Sequence, residues 1–120
     1  RMTVVAETPD EFLAWMAEQK KPAPSNLTGK AALGQQAFLD SPCAACHTID
    51  GTKAQGKVGP NLTHFGSRAR FAGDSFDNTH ENVTNWIMNP QALKPGNHMP
   101  NLGMTPTVSS QIATFLESLK

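Results

Sequence analysis

Cys43-Ala44-Ala45-Cys46-His47 is the stretch on which the reading of this chain turns. A CxxCH run is the attachment signature for haem c: two thiols add across the porphyrin vinyl groups as thioethers, and the adjoining imidazole becomes an axial ligand of the iron. Two residues between the cysteines let one helical turn offer both sulfurs to the same porphyrin edge, with the next side chain directed at the metal. Two other chemistries use such a pair. A thioredoxin-like redox site belongs beside a βαβ pattern, which this sequence lacks. A structural zinc site needs four ligands, and neither a second CxxC nor an HxxxH pair accompanies Cys43 and Cys46. One covalently attached haem c with its iron is the expected cofactor.

The 120 residues, formal net charge of zero and 38% hydrophobic content fit one small domain with a modest core. A covalently held porphyrin would add a large apolar element to that core, so nine Gly and nine Pro do not preclude cooperative folding. Neutral charge without a basic cluster speaks against nucleic acid as a partner. The sequence has no apolar run of about 20 residues, the length of a membrane span. It shows no signal-peptide pattern and opens at Arg1, so the expectation is a processed or excised piece of something longer. Haem c attachment implies an extracytoplasmic, periplasmic setting in bacteria, with membrane association only through a parent chain. Both cysteines would be spent on haem, leaving none for a disulfide.

Composition divides the chain near residue 22, where Lys20-Lys21-Pro22-Ala23-Pro24-Ser25-Asn26 reads as a semi-rigid linker. Before it, Met2, Thr3, Val4 and Val5 read as the end of a strand. Thr8, Pro9, Asp10 and Glu11 form a capping box with Pro at the first helical position, predicting a helix from about residue 9 to 20. Phe12, Leu13, Trp15 and Met16 are a dense apolar set on so short a helix and need something to pack against. After the linker an all-helical pattern begins. Leu33, Ala37 and Phe38 recur at helical spacing over about 28–39, and Asp40, Ser41 and Pro42 stop that helix before the haem motif. Residues 48–66 have no period and read as loop. Val83, Trp86 and Ile87 share a face over 82–89, which ends at Pro90. In the last helix Thr105 caps, Pro106 opens, and Val108, Ile112, Phe115, Leu116 and Leu119 follow in a stripe.

Haem iron has one further axial position, and its occupant decides between electron carriage and small-molecule binding. Met88, Met99, Met104, His64, His80 and His98 are the candidates. Here the sequence resembles class I cytochromes c: Asn89, Pro90, Pro95, Gly96 and Met99 reproduce the N-P-x-x-x-x-P-G-x-x-M spacing that precedes the axial methionine. The resemblance implies the class I fold, several helices wrapped around one covalent haem c, with residues 1–26 as an N-terminal strand and helix extension plus linker and 27–120 as the cytochrome domain. It makes Met99 the second iron ligand beside His47. Pro95 and Pro100 bracket Met99 in a loop that cannot become helix, so backbone stiffness can hold the thioether. Met104 is the main competitor, and a gap-filling role remains open for Met99.

The same resemblance implies roles for other residues. Gly59-Pro60-Asn61-Leu62 looks like the segment whose proline carbonyl, here at Pro60, accepts a hydrogen bond from the proximal imidazole; an ordinary Gly-Pro turn is the alternative. Arg68 matches an arginine near a haem propionate, although Ser67 stands where the mitochondrial proteins have glycine and Arg70 is a rival. Trp86 aligns with a haem-pocket tyrosine of those proteins, with simple core packing as the other reading. Gly34, Phe38 and Phe115 resemble the crossing of the first and last helices.

Residues 1–20 look like the end of the copper-binding domain of subunit II of haem-copper oxidases, through a terminal strand, Pro, acidic residues, Phe12 and Trp15. That likeness implies the cytochrome domain of a caa3-type oxidase, receiving electrons from a redox protein and passing them to the copper centre of the upstream domain. A free-standing or otherwise tethered carrier, a haem sensor or peroxidase with an open sixth position, and a haem-free binding module are the other classes to be separated.

Overall fold

Helix α6, Pro106–Ser118, starts where a threonine can satisfy an orphan donor: the Thr105 side chain accepts from the Val108 N–H, and Pro106 at the first position has no N–H to satisfy. Its stripe Ile112, Phe115, Leu116, with Leu119 just beyond, is buried. Each such side chain taken from water is worth about 1.5–3 kcal/mol. The computed structural model describes residues 2–120.

The most extensive contact between elements is that of α6 with α2, Gly29–Leu39. Gly34 makes it possible. A Cβ there would overlap the Gln111 carbonyl and lie 2.9 Å from the Phe115 Cβ, so only glycine lets the backbones approach this closely. Phe38 meets Phe115 edge-on at 5.9 Å between ring centres. Leu33, expected on the core face, is instead 53% exposed. Gly34 and Phe38, four residues apart, set the contact stripe, and Leu33 and Ala37 lie one residue, or 100°, round the helix from it.

Helix α3, Cys43–Cys46, is a single turn entered through Pro42. Residues 48–66 are held by specific bonds rather than a repeating ladder. The Leu62 N–H donates to the Thr48 carbonyl at 2.8 Å, the Gly59 N–H to the Cys46 carbonyl at 2.7 Å, and the Gly66 N–H to the carbonyl of Leu119, just past the last helix, at 2.6 Å. Buried Thr63 donates from its hydroxyl to Asn61 Oδ1 at 2.6 Å and accepts the Asp50 N–H at 2.8 Å. A 3-10 turn, Phe65–Ser67, leads into a two-stranded antiparallel hairpin, β1 Arg70–Phe71 with β2 Phe76–Asp77. Arg70 is bound within this hairpin to Asp74 and Asp77.

Helix α4, His80–Met88, begins two residues earlier than its apolar face suggests, because the Thr79 side chain caps it by accepting from the Asn82 N–H. Val83 and Ile87 are buried and Trp86 half-buried. The one-turn helix α5, Pro90–Leu93, is capped by the Asn89 side chain, and residues 94–105 carry no regular structure.

The N-terminal extension behaves differently. Helix α1, Pro9–Gln19, has the expected capping box of Thr8 with Glu11 but buries no residue. Residues 2–5, expected as a strand end, form no ladder; a lone extended segment has no partner strand for its N–H and C=O groups. The linker is pinned, with the Ala23 N–H donating to the Asp50 carbonyl at 2.8 Å and Ala23 and Leu27 packed on the core.

Candidate functional site

α2, α3, α4, α6 and the loops between them enclose one apolar cleft of about 320 Å3. Phe38, Leu62, Phe65, Phe71, Val83 and Ile112 are among its walls, and Cys43, Cys46, His47, Pro60, Arg68, Trp86 and Met99 all line it.

On one wall the single turn of α3 carries the two thiols, and the His47 N–H closes it by donating to the Cys43 carbonyl at 2.9 Å. Cys43 is buried and Cys46 half-buried, and neither is in a disulfide. Burial pushes the Cys43 thiol above the ordinary cysteine range, while the Ser41 hydroxyl pulls it the other way. The His47 ring is fixed from two sides. Nδ1 lies 2.8 Å from the Pro60 carbonyl oxygen; a carbonyl only accepts, so Nδ1 carries the hydrogen of this bond. Behind the ring, a Cβ on Gly59 would stand 2.5 Å from Cε1 and 2.7 Å from Nδ1. Glycine at 59 leaves room for the imidazole.

On another wall the Trp86 indole Nε1–H donates to the Met99 Sδ at 3.1 Å. Met104 and His98 also border the cleft. Met88, His64 and His80 are not among its lining residues. His64 lines a smaller polar pocket with Asp50 and Asn61, and His80 bridges α4 to α6 through Glu117 at 3.0 Å and Ser110 at 2.8 Å.

Arg68 borders the cleft, and Arg70 does not. The Arg68 Nη2 donates to the Asn61 carbonyl at 2.6 Å, with the guanidinium 5.8 Å from the Phe65 ring centre. Burial lowers its pKa, yet an arginine stays charged in proteins, so a partly desolvated cation faces the cleft. Lys94 escapes the sequence reading. Its Nζ donates to the Ala72 carbonyl at 2.7 Å and the Ser75 hydroxyl at 3.2 Å across the cleft rim, and the receiving hairpin has no period that would announce it.

The donor set suits haem c: two thiols one turn apart, an imidazole anchored through Nδ1, a thioether, an apolar enclosure and a flanking cation. The space Gly59 leaves for the His47 ring fits the same group, since a displaced ring could not serve as ligand.

A family model described as Cytochrome c matches residues 31–120. Cytochrome c oxidase subunit 2 of Alkalihalophilus pseudofirmus is 34% identical over 118 residues, covering 98% of this chain and 34% of that protein. The subunit 2 of Bacillus sp. strain PS3 is 31% identical over 116 residues, covering 92% and 32%. That of Bacillus subtilis is 33% identical over 114 residues, covering 92% and 31%. The chain thus spans about a third of the length of these curated relatives. With 90 of its residues under the family model and an enclosure built for the group, the chain belongs to the cytochrome c family and carries covalently bound haem c.

Proposed function

We propose that this chain is the haem c domain of subunit II of a caa3-type haem-copper oxidase, passing single electrons from a redox-protein donor to the copper centre of the parent protein. One observation carries the reading: an imidazole anchored through Nδ1 and an indole-held thioether line the same apolar cleft. In this reading Cys43 and Cys46 would hold the porphyrin as thioethers, and His47 Nε2 and Met99 Sδ would bind its iron.

Bound in that way, haem c supplies one-electron chemistry at iron, with a potential that methionine ligation raises. The chain's own residues set the conditions. The Pro60 carbonyl fixes the His47 tautomer and raises its donor strength. The Trp86 N–H draws electron density from the Met99 sulfur and weakens it as a donor, favouring the reduced state. Arg68 offsets a propionate carboxylate. The aromatic and aliphatic walls exclude water, which tunes the potential further.

Residues 1–26 form the tail of a preceding copper domain plus linker in this proposal, and 27–120 the cytochrome domain. Support comes from α1, whose Phe12, Leu13 and Trp15 are 47%, 60% and 50% exposed, with Phe12 stacked on Trp15 at 5.8 Å. The cytochrome part leaves this apolar set uncovered. The parent chain would supply the membrane anchor and place the domain on the periplasmic face; no helix among the described residues is long and apolar enough to cross a membrane. Tethering raises the effective concentration of the acceptor, leaving only the donor to be met by diffusion.

The test uses the intact mature oxidase. After rapid reduction of haem c, stopped-flow absorbance should show its reoxidation matched in time by reduction of a copper band. Haem c that stays reduced beside oxidised copper rejects the oxidase assignment. A parent gene without copper ligands does the same while sparing a carrier role.

A further inference from the structure

Met99 is held at three atoms, and two of the holds come from amide side chains that electron transfer does not itself require. Its Sδ accepts from Trp86, its N–H donates to Asn97 Oδ1 at 2.8 Å, and its carbonyl accepts from Gln91 Nε2 at 2.8 Å. Gln91 Nε2 also donates to the Asn97 carbonyl at 2.8 Å. Both acceptors are carbonyls, so the nitrogen assignment follows from chemistry, and the two amide hydrogens are both used. Asn97 reciprocates: its Nδ2 donates to the Pro90 carbonyl at 2.9 Å and the Lys94 carbonyl at 2.7 Å. One amide reaches from α5 to the loop backbone and the other from the loop back to α5. The loop lacks helix or strand, and Gly96 and Gly103 adopt φ of +82° and +66°, so it depends on side chains to satisfy its backbone and fix its path.

We propose that Gln91 is a positioning residue that latches the Met99 loop to α5 and so presents the thioether to the cleft. The latch rests on the reading of Met99 as an axial ligand. With the loop latched, an external ligand competes for the iron only in the small population whose loop has opened. Apparent affinity for that ligand is set by the open fraction. Losing two partly buried hydrogen bonds should raise that fraction about tenfold.

The experiment compares wild type, Gln91→Leu and Gln91→Lys in the mature, haem-loaded, full-length protein. Leucine keeps the bulk and removes both donors, whereas lysine keeps N–H donors on a flexible stem. Imidazole is titrated into the ferric protein while the methionine-to-iron charge-transfer band is followed, and backbone hydrogen exchange is read at Met99 and His98. Gln91→Leu should bind imidazole about tenfold more tightly, and Gln91→Lys should return close to wild type. In wild type the Met99 N–H should exchange at least about tenfold more slowly than that of His98.

Unchanged imidazole affinity in Gln91→Leu overturns the latch, as does an equal rise in both variants. Should Gln91→Leu fail to mature, Gln91→Glu, which keeps the length of the side chain and replaces the donating nitrogen by an oxygen that only accepts, decides by the same titration, and unchanged affinity rejects the proposal. Failure of the ligand reading looks different: Met99→Ala would leave the charge-transfer band in place, whereas a failed latch leaves that band sensitive to Met99→Ala and indifferent to Gln91.

Discussion

Around the haem site single atoms decide. Gly59 is irreplaceable on steric grounds: Gly59→Ala puts a methyl 2.5 Å from the His47 Cε1, so the ring must tilt away from Pro60. Overpacking of this kind costs about 1–3 kcal/mol. The expected result is a lower unfolding midpoint together with a higher potential, because the imidazole loses the hydrogen bond that raises its donor strength; both are measurable on the haem-loaded protein. Trp86→Phe keeps the packing and deletes the N–H at Met99 Sδ. The potential should fall by a few tens of millivolts, the order of 1 kcal/mol for one electron; potentiometry showing no change would mean the indole only fills space. Met99→Ala should abolish the charge-transfer band and lower the potential further. A retained band would move the axial role to Met104 or His98, which share the cleft.

Between elements, the α2–α6 crossing has the least slack. At Gly34→Ala the helix gains roughly 1 kcal/mol of propensity, but the new methyl collides with the Gln111 carbonyl and Phe115. Backbone cannot step aside as a flexible side chain would, so the collision prevails. Denaturant unfolding should show a net loss of about 1–3 kcal/mol, and a gain in stability would mean the crossing can open at little cost. At the start of α6, Thr105→Ala removes an acceptor from the Val108 N–H and should cost about 1 kcal/mol. The helices were legible from caps and spacing. On α2 apolar periodicity marks Leu33 as inward although it is 53% exposed, and it gives no weight to Gly34, which the family resemblance places at this crossing and which the partner helix needs small at the closest approach.

For the molecule as a whole, the N-terminal extension is the part without a counterpart surface. Phe12, Leu13 and Trp15 stay half-exposed or more, and α1 buries nothing. Hydrogen exchange on the isolated 120-residue chain should find the amides of α1 opening far more readily than those of α2 and α6, because few buried contacts oppose fraying. In the parent protein they should become protected. Equal protection in both settings would show that α1 needs no partner.

The sequence by itself determined the cofactor and the helices that bear caps and apolar stripes, and it proposed Cys43 and Cys46 as the attachment points, because spacing along one turn and caps at helix ends are local properties. It also picked out Met99, Pro60, Arg68 and Trp86 as candidates through family spacing. Only the tertiary structure decided that the Pro60 carbonyl reaches Nδ1, that Arg68 rather than Arg70 borders the cleft, and that Gln91, Asn97 and Lys94 close the loops around it. Those contacts join residues whose loops have no period, and a hydrogen bond between a side chain and a distant carbonyl leaves no trace in either residue's neighbours until the chain has folded.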